Sequence, residues 1–157
     1  MIKKGIILAG GTGTRLSPLT KSVNKQLLPL YDKPLIFYPL SILMLAGIKN
    51  ILIIINSGQK KNFFNILGNG KRYGISIQYK EQKKPRGIAD AFILGKNFIK
   101  KDNVALILGD NFFYGQSLTA KLLQTKNHNS GAKIFLKSVN KPENFGVAVI
   151  KNNKIHN

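Results

Sequence analysis

The feature that most constrains this chain is a junction near its start, where an apolar run stops in a glycine-rich turn: Gly5-Ile6-Ile7-Leu8-Ala9-Gly10-Gly11-Thr12-Gly13-Thr14-Arg15-Leu16. Ile6, Ile7 and Leu8 read as a strand covered on both faces, as parallel sheets require. Gly10, Gly11 and Gly13 let the backbone take positive φ and come close to a ligand. Such a loop turns successive N–H groups outward, where they can hold a phosphate chain. Arg15 adds a fixed charge and a planar fork of donors.

Spacing separates the kinds of glycine-rich loop. A Walker A loop needs Gly-Lys-Ser/Thr at its end, and no Lys follows Gly13. The dinucleotide fingerprint fits at Gly11-Thr12-Gly13, but Leu16 stands where its third Gly belongs. A bare strand-to-helix turn has no use for three glycines, two threonines and an Arg. A phosphate-binding loop of another class is the reading that remains.

The following chain alternates strand and helix patterns. Lys21 to Leu30 has no helical stripe but contains Lys25-Gln26-Leu27-Leu28-Pro29. Lys25 lies near enough to the loop to swing over bound phosphates, or it is a solvated loop Lys. Pro34 to Gly47 predicts a buried helix, with Pro34 in its first turn and a bend at Pro39. Ile48 to Ile55 predicts a buried strand. Gln59 to Leu67 predicts a helix with Phe63, Phe64 and Leu67 inward, and Ile75 to Tyr79 a third strand. Ile88 to Ile99 predicts a helix packed through Ala89, Phe92, Ile93 and Phe98. Val104 to Leu108 predicts a fourth strand ending in Gly109-Asp110-Asn111. Leu118 to Leu123 predicts a helix, and Ala132 to Val139 and Gly146 to Ile150 two more strands. The pattern is α/β: a Rossmann-like, mostly parallel sheet flanked by helices. There is no internal repeat and no interdomain linker, so 157 residues read as one domain.

Asp110 is the acidic residue that matters. In open α/β sheets ligands bind at the carboxyl ends of strands. With four Asp and two Glu in the chain, Asp110 has few rivals there. A carboxylate at this point either binds Mg²⁺ or caps the next turn; the residues alone leave both open.

Composition narrows the partners. The net charge of +19 suggests nucleic acid. Yet Arg occurs only at Arg15, Arg72 and Arg86, and the Lys residues are scattered in pairs such as Lys60-Lys61, Lys83-Lys84 and Lys100-Lys101. Base-reading surfaces favour Arg and exposed aromatics, so no nucleic-acid partner is expected. The charge still attracts anionic substrates. No Cys is present, which excludes a disulfide framework and thiolate metal sites. Met1-Ile2-Lys3-Lys4 is too short a lead for a signal peptide, and no apolar run reaches membrane-spanning length. The expectation is a cytoplasmic protein with no membrane partner.

The motifs together resemble a known family. Leu8 to Leu16, followed by Lys25-Gln26-Leu27-Leu28-Pro29, is similar to the sugar-nucleotidyltransferase signature. Tyr31-Asp32-Lys33-Pro34, Leu43-Met44-Leu45-Ala46-Gly47-Ile48, Gln78-Tyr79-Lys80 and Leu108-Gly109-Asp110-Asn111 resemble the glucose-1-phosphate thymidylyltransferases within it. The similarity runs from Met1 to about Ile150.

The resemblance implies a truncated nucleotide-diphospho-sugar transferase fold and a role for each matched residue. Gly10, Gly11, Thr12, Gly13 and Thr14 would hold nucleotide phosphates. Arg15 would bind departing pyrophosphate, Lys25 the phosphates at the reacting phosphorus, and Gln26 would lie beside it. Gln82 and Gly87 would meet the thymine edge, Asp110 would bind Mg²⁺, and Asn111 and Gly146 would contact the sugar phosphate. The implied reaction joins dTTP and glucose 1-phosphate into dTDP-glucose and pyrophosphate, the opening step toward dTDP-rhamnose. The family forms homo-oligomers.

Departures accompany the match. Family members are about twice as long, and the expected Glu-Glu-Lys-Pro segment and a second metal-binding Asp do not occur within these residues. Phe145 stands where Tyr is common and Ile88 where Leu is common. The nucleotide half, residues 1–157, is thus matched and the sugar-binding part is not. A thymidylyltransferase that is truncated or one piece of a split enzyme, with a complementing C-terminal chain, and a nucleotide-binding module without turnover are both compatible with this pattern.

Overall fold

The computed structural model describes residues 1–11, 13–126, 131–152 and 154–156. In chain order the elements are β1 (Lys4–Ala9), the short strands β2 (Pro29–Leu30) and β3 (Lys33–Pro34), α1 (Phe37–Leu45) and β4 (Asn50–Asn56). They continue with α2 (Lys60–Leu67), β5 (Ser76–Gln82), α3 (Asp90–Leu94), α4 (Lys96–Ile99), β6 (Val104–Leu108), α5 (Leu118–Lys126), β7 (Val149–Lys151) and β8 (Lys154–His156).

The sheet is parallel, in the order β5-β4-β1-β6. β1 is paired on both edges, Leu8 lying opposite Ile54 on one side and Leu108 on the other. Both sheet faces are covered, which is why these strands read as unbroken apolar runs. Ile7, Ile51, Ile53 and Ile55 pack with Leu40, Leu43, Phe63 and Leu67 on one face. Ile6, Leu52 and Ile54 pack with Ala91, Leu94, Phe98 and Ile99 on the other. In chain order the sheet runs third, second, first, fourth strand, so the direction of winding reverses between β1 and β6. That reversal opens a crevice at the carboxyl ends of these two strands.

Several predicted details differ. The helix expected from Pro34 begins at Phe37, because Pro34 pairs with Pro29 in the β2–β3 hairpin. Pro39 is the third residue of α1, where its missing N–H has no partner within the helix in any case. Phe64 faces outward at 49 % exposure, whereas Phe63 is fully buried. The helix expected over residues 88–99 is two short helices, α3 and α4, meeting at Gly95. A Cβ there would lie 3.0 Å from Ile6 Cδ1, so this glycine lets the pair sit down on β1. The break turns Ala89, Phe92 and Ile93 outward, keeps Phe98 inward as expected, and brings in Ala91, Leu94 and Ile99 beside it. Lys4 fastens the end of α4, donating to the Phe98 and Ile99 carbonyls at 2.7 and 3.2 Å. Its ammonium also lies 2.6 Å from Asp102, which holds that carboxyl below its usual range.

The two late strands are corrected most. Residues 132–139 form no strand, and of 146–150 only Val149 and Ile150 belong to one, in the antiparallel β7–β8 pair. Ile134, Phe135 and Leu136 are each about half exposed, because no ladder on the main sheet takes them up. No helix among the described residues is long and apolar enough to cross a membrane.

The phase of α2 yields a direct check. Phe63→Ala is expected to cost about 3–5 kcal/mol of unfolding free energy, and Phe64→Ala about 1 kcal/mol. Urea unfolding of the two variants measures both; equal costs would contradict the burial described.

Candidate functional site

The crevice is built by the segments that leave β1 and β6. Gly109 N–H donates to Leu8 O at 2.8 Å, which holds the ends of the two strands together. A Cβ on Gly109 would lie 3.0 Å from Ala9 Cα and 2.9 Å from Gln26 Cγ, so no side chain fits between them. The next residue, Asp110, is thereby set at the mouth.

The glycine-rich loop is shaped by contacts on both sides. Gly13 adopts φ 60 and opens a short 3-10 turn over Thr14–Leu16. Thr20 Oγ1 donates to Gly13 O at 2.8 Å. Asn56, the last residue of β4, donates from Nδ2 to Gly11 O at 3.0 Å. Its Oδ1 accepts from Gln82 Nε2, at the end of β5, at 3.2 Å. Gly10 makes room for that amide, since a Cβ there would come within 1.7 Å of Gln82 Nε2.

Lys25 and Gln26 enter on another 3-10 turn, Lys25–Leu27, capped by the Asn24 side chain, whose Oδ1 accepts from Gln26 N–H at 2.9 Å. The turn carries Lys25 Nζ to 2.7 Å from Asp110 Oδ2. The Gln26 side chain is 95 % buried beside them, and among the described residues no donor reaches its Oε1. A buried amide oxygen without a donor costs about 1–3 kcal/mol, so this atom is suited to a ligand that brings one.

These groups line one cleft of ≈ 280 Å³. Of the residues singled out by sequence, Gly10, Gly11, Gly13, Lys25, Gln26, Gln82, Gly87 and Asp110 line it. Leu8, Pro85, Ile88 and Leu108 supply apolar wall. Thr14, Arg15, Asn111 and Gly146 do not line it; Arg15 is exposed and forms no ion pair with the described residues. Thr12 lies outside the described residues. Asn24 and Asn56 were not predicted. Asn56 had a signal: it is the first polar residue after an apolar strand, at a carboxyl end.

No group of three or more His, Cys, Asp or Glu occurs among the described residues. Asp110 is instead a single hard oxygen donor at the cleft. That fits Mg²⁺, which commonly takes one or two carboxylates and completes its shell with phosphate oxygens and water.

The nucleotidyl transferase family profile matches residues 4–156. The chain belongs to the nucleotidyl transferase family. Glucose-1-phosphate thymidylyltransferase of Neisseria meningitidis is 55% identical over 150 residues, covering 96% of this chain and 52% of that protein. The Mycolicibacterium smegmatis enzyme of the same name is 50% identical over 144 residues, covering 92% and 50%. Among solved structures, a Bacillus anthracis protein described as a glucose-1-phosphate thymidylyltransferase, with sucrose bound, superposes at TM-score 0.87 and 43% identity, covering 97% of this chain and 61% of that one. A UDP-glucose pyrophosphorylase complexed with UDP-glucose superposes at TM-score 0.66 and 30% identity, covering 80% and 52%. The chain spans about half the length of the curated relatives it matches.

In this chain the Lys25–Asp110 pair is about one-third open to water, its side chains 31% and 35% exposed. Such a pair is worth about 0–1 kcal/mol to folding. A double-mutant cycle of Lys25→Met and Asp110→Asn, read by urea unfolding, is therefore expected to give a coupling below about 1 kcal/mol. A coupling of several kcal/mol would mean that the pair is structural.

Proposed function

We propose that these residues form the dTTP-binding part of a glucose-1-phosphate thymidylyltransferase. The observation that carries the reading is the meeting, in one cleft, of a glycine loop, Lys25, Asp110 and the Gln82–Gly87 edge. The relatives' shared name supports the substrate pair.

In this reading the loop N–H groups from Gly10 to Thr14 hold the triphosphate, with Arg15 beside the departing end. Gln82 and the Gly87 backbone meet the base. Apolar wall from Leu8 and Leu108 excludes water along one side of the nucleotide. A phosphate oxygen of glucose 1-phosphate attacks the α-phosphorus of dTTP. The new P–O bond forms as the bond to the β-phosphate oxygen breaks, and pyrophosphate leaves. No general base is needed, because the attacking oxygen is already ionised. The protein aligns two mutually repelling anions and offsets their charge, which is where such reactions gain their rate. Lys25 does this at the reacting phosphorus once it exchanges Asp110 for phosphate. Asp110 would hold Mg²⁺, which would supply further neutralisation of the phosphate charge. Asn111 and Gly146 would meet the sugar phosphate, and the site of action would be the cytoplasm. Thymine is preferred to uracil by one methyl contact, worth about 1–3 kcal/mol.

A second reading, a nucleotide-binding module without turnover, is favoured by one observation. Arg15, Asn111 and Gly146 lie off the cleft lining. The two readings share the nucleotide site and differ at the sugar. Residues 1–157 are thus expected to bind dTTP–Mg²⁺ in a calorimeter and to release pyrophosphate from dTTP and glucose 1-phosphate at close to the background rate. Absence of dTTP binding would overturn both readings. Turnover near that of a full-length relative would overturn the second.

A further inference from the structure

The orientation of the Gln82 amide is not a free choice. A backbone carbonyl can only accept a hydrogen bond. Asn56 reaches the Gly11 carbonyl at 3.0 Å, so the atom it presents there is the donor Nδ2. Its opposite end, Oδ1, therefore faces Gln82 and takes an N–H from Nε2 at 3.2 Å. The polarity of one loop carbonyl is passed through two side-chain amides in series. Gln82 is 4% exposed and its Nε2 lies over Gly10; the two ends of an amide have nearly the same shape, so this packing fixes where the group sits and the Asn56 bond fixes which end is which. Oε1 is left as an acceptor that no described residue satisfies, on a side chain that lines the cleft.

We infer that Asn56 is a positioning residue that sets base selectivity, by locking Gln82 so that the cleft presents a hydrogen-bond acceptor to the pairing edge of the base. The inference rests on the reading of this cleft as a nucleotide site. Thymine and uracil carry an N–H at ring position three, which Gln82 Oε1 accepts. Cytosine carries a lone pair there, and two acceptors face each other. A Gln82 amide turned the other way would donate to cytosine instead. Asn56 achieves this without touching the ligand, from the end of a neighbouring strand.

The test uses the 157-residue chain, calorimetry with dTTP–Mg²⁺ and dCTP–Mg²⁺, and the thermal midpoint. Wild type is expected to prefer dTTP. Asn56→Val removes both bonds and frees the amide to turn. The dTTP/dCTP affinity ratio should then fall about tenfold, the size of one hydrogen bond, chiefly through tighter dCTP binding. Asn56→Ala repeats the loss without a branched side chain. A merely structural Asn56 would move the midpoint and both affinities together, leaving their ratio unchanged, and that result would overturn the inference. Equal wild-type affinity for the two nucleotides would overturn it too, while leaving the nucleotide site intact. Failure of wild type to bind either nucleotide would overturn the site reading and this inference with it.

Discussion

Everything in this molecule hangs on the burial of β1. The strand is paired along both edges and covered on both faces, so Ile6, Ile7 and Ala9 are fully removed from water. Burying each such side chain contributes about 1.5–3 kcal/mol. The same enclosure dictates where chemistry can occur. A fully surrounded strand can reach a ligand only from its end, and Gly10 is the first residue beyond that end. Because the winding reverses between β1 and β6, no crossover connection lies over their carboxyl ends. Asp110 therefore stands beside the loop, 100 residues later in the chain.

The site is a set of mutually dependent placements. Gly10 is small so that Gln82 can lie over it. Gln82 is oriented by Asn56, and Asn56 in turn holds the loop at Gly11. On the other flank, Asn24 shapes the turn that carries Lys25 to Asp110. Among the described residues no donor reaches Gln26 Oε1 or Gln82 Oε1, and both atoms can accept. A nucleotide base with an exposed N–H suits such a lining, and the cations and loop amides suit its phosphates.

The sheet and the loop were legible because their signals are local. Apolar runs as long as Ile6 to Leu8, Ile51 to Ile55 and Val104 to Leu108 have few alternatives to buried parallel strands, and Asp110 follows one of them directly. The rest depends on partners distant in sequence. Nothing in the side chains of residues 88–99 shows that Gly95 must pack against Ile6, and that contact alone rotates the buried face. Phe63 and Phe64 are adjacent and chemically identical; the register of α2 on the sheet decides between them. Residues 132–139 have a strand's composition, but a strand also needs a neighbour to pair with. The role of Asn56 exists only once β4 and β5 lie side by side, so its own sequence neighbourhood does not show it.

The central claim is that one nucleotide site spans the ends of β1, β5 and β6. The most direct measurement is an amide proton–nitrogen correlation map of the isotopically labelled chain, titrated with dTTP–Mg²⁺. The account predicts shifts concentrated at Gly10, Gly11, Gly13, Lys25, the Gln26 and Gln82 side-chain amides, Gly87 and Asp110, with α2 and α4 unmoved. Saturable shifts confined to another surface, such as the Lys-rich start of α2, would contradict it.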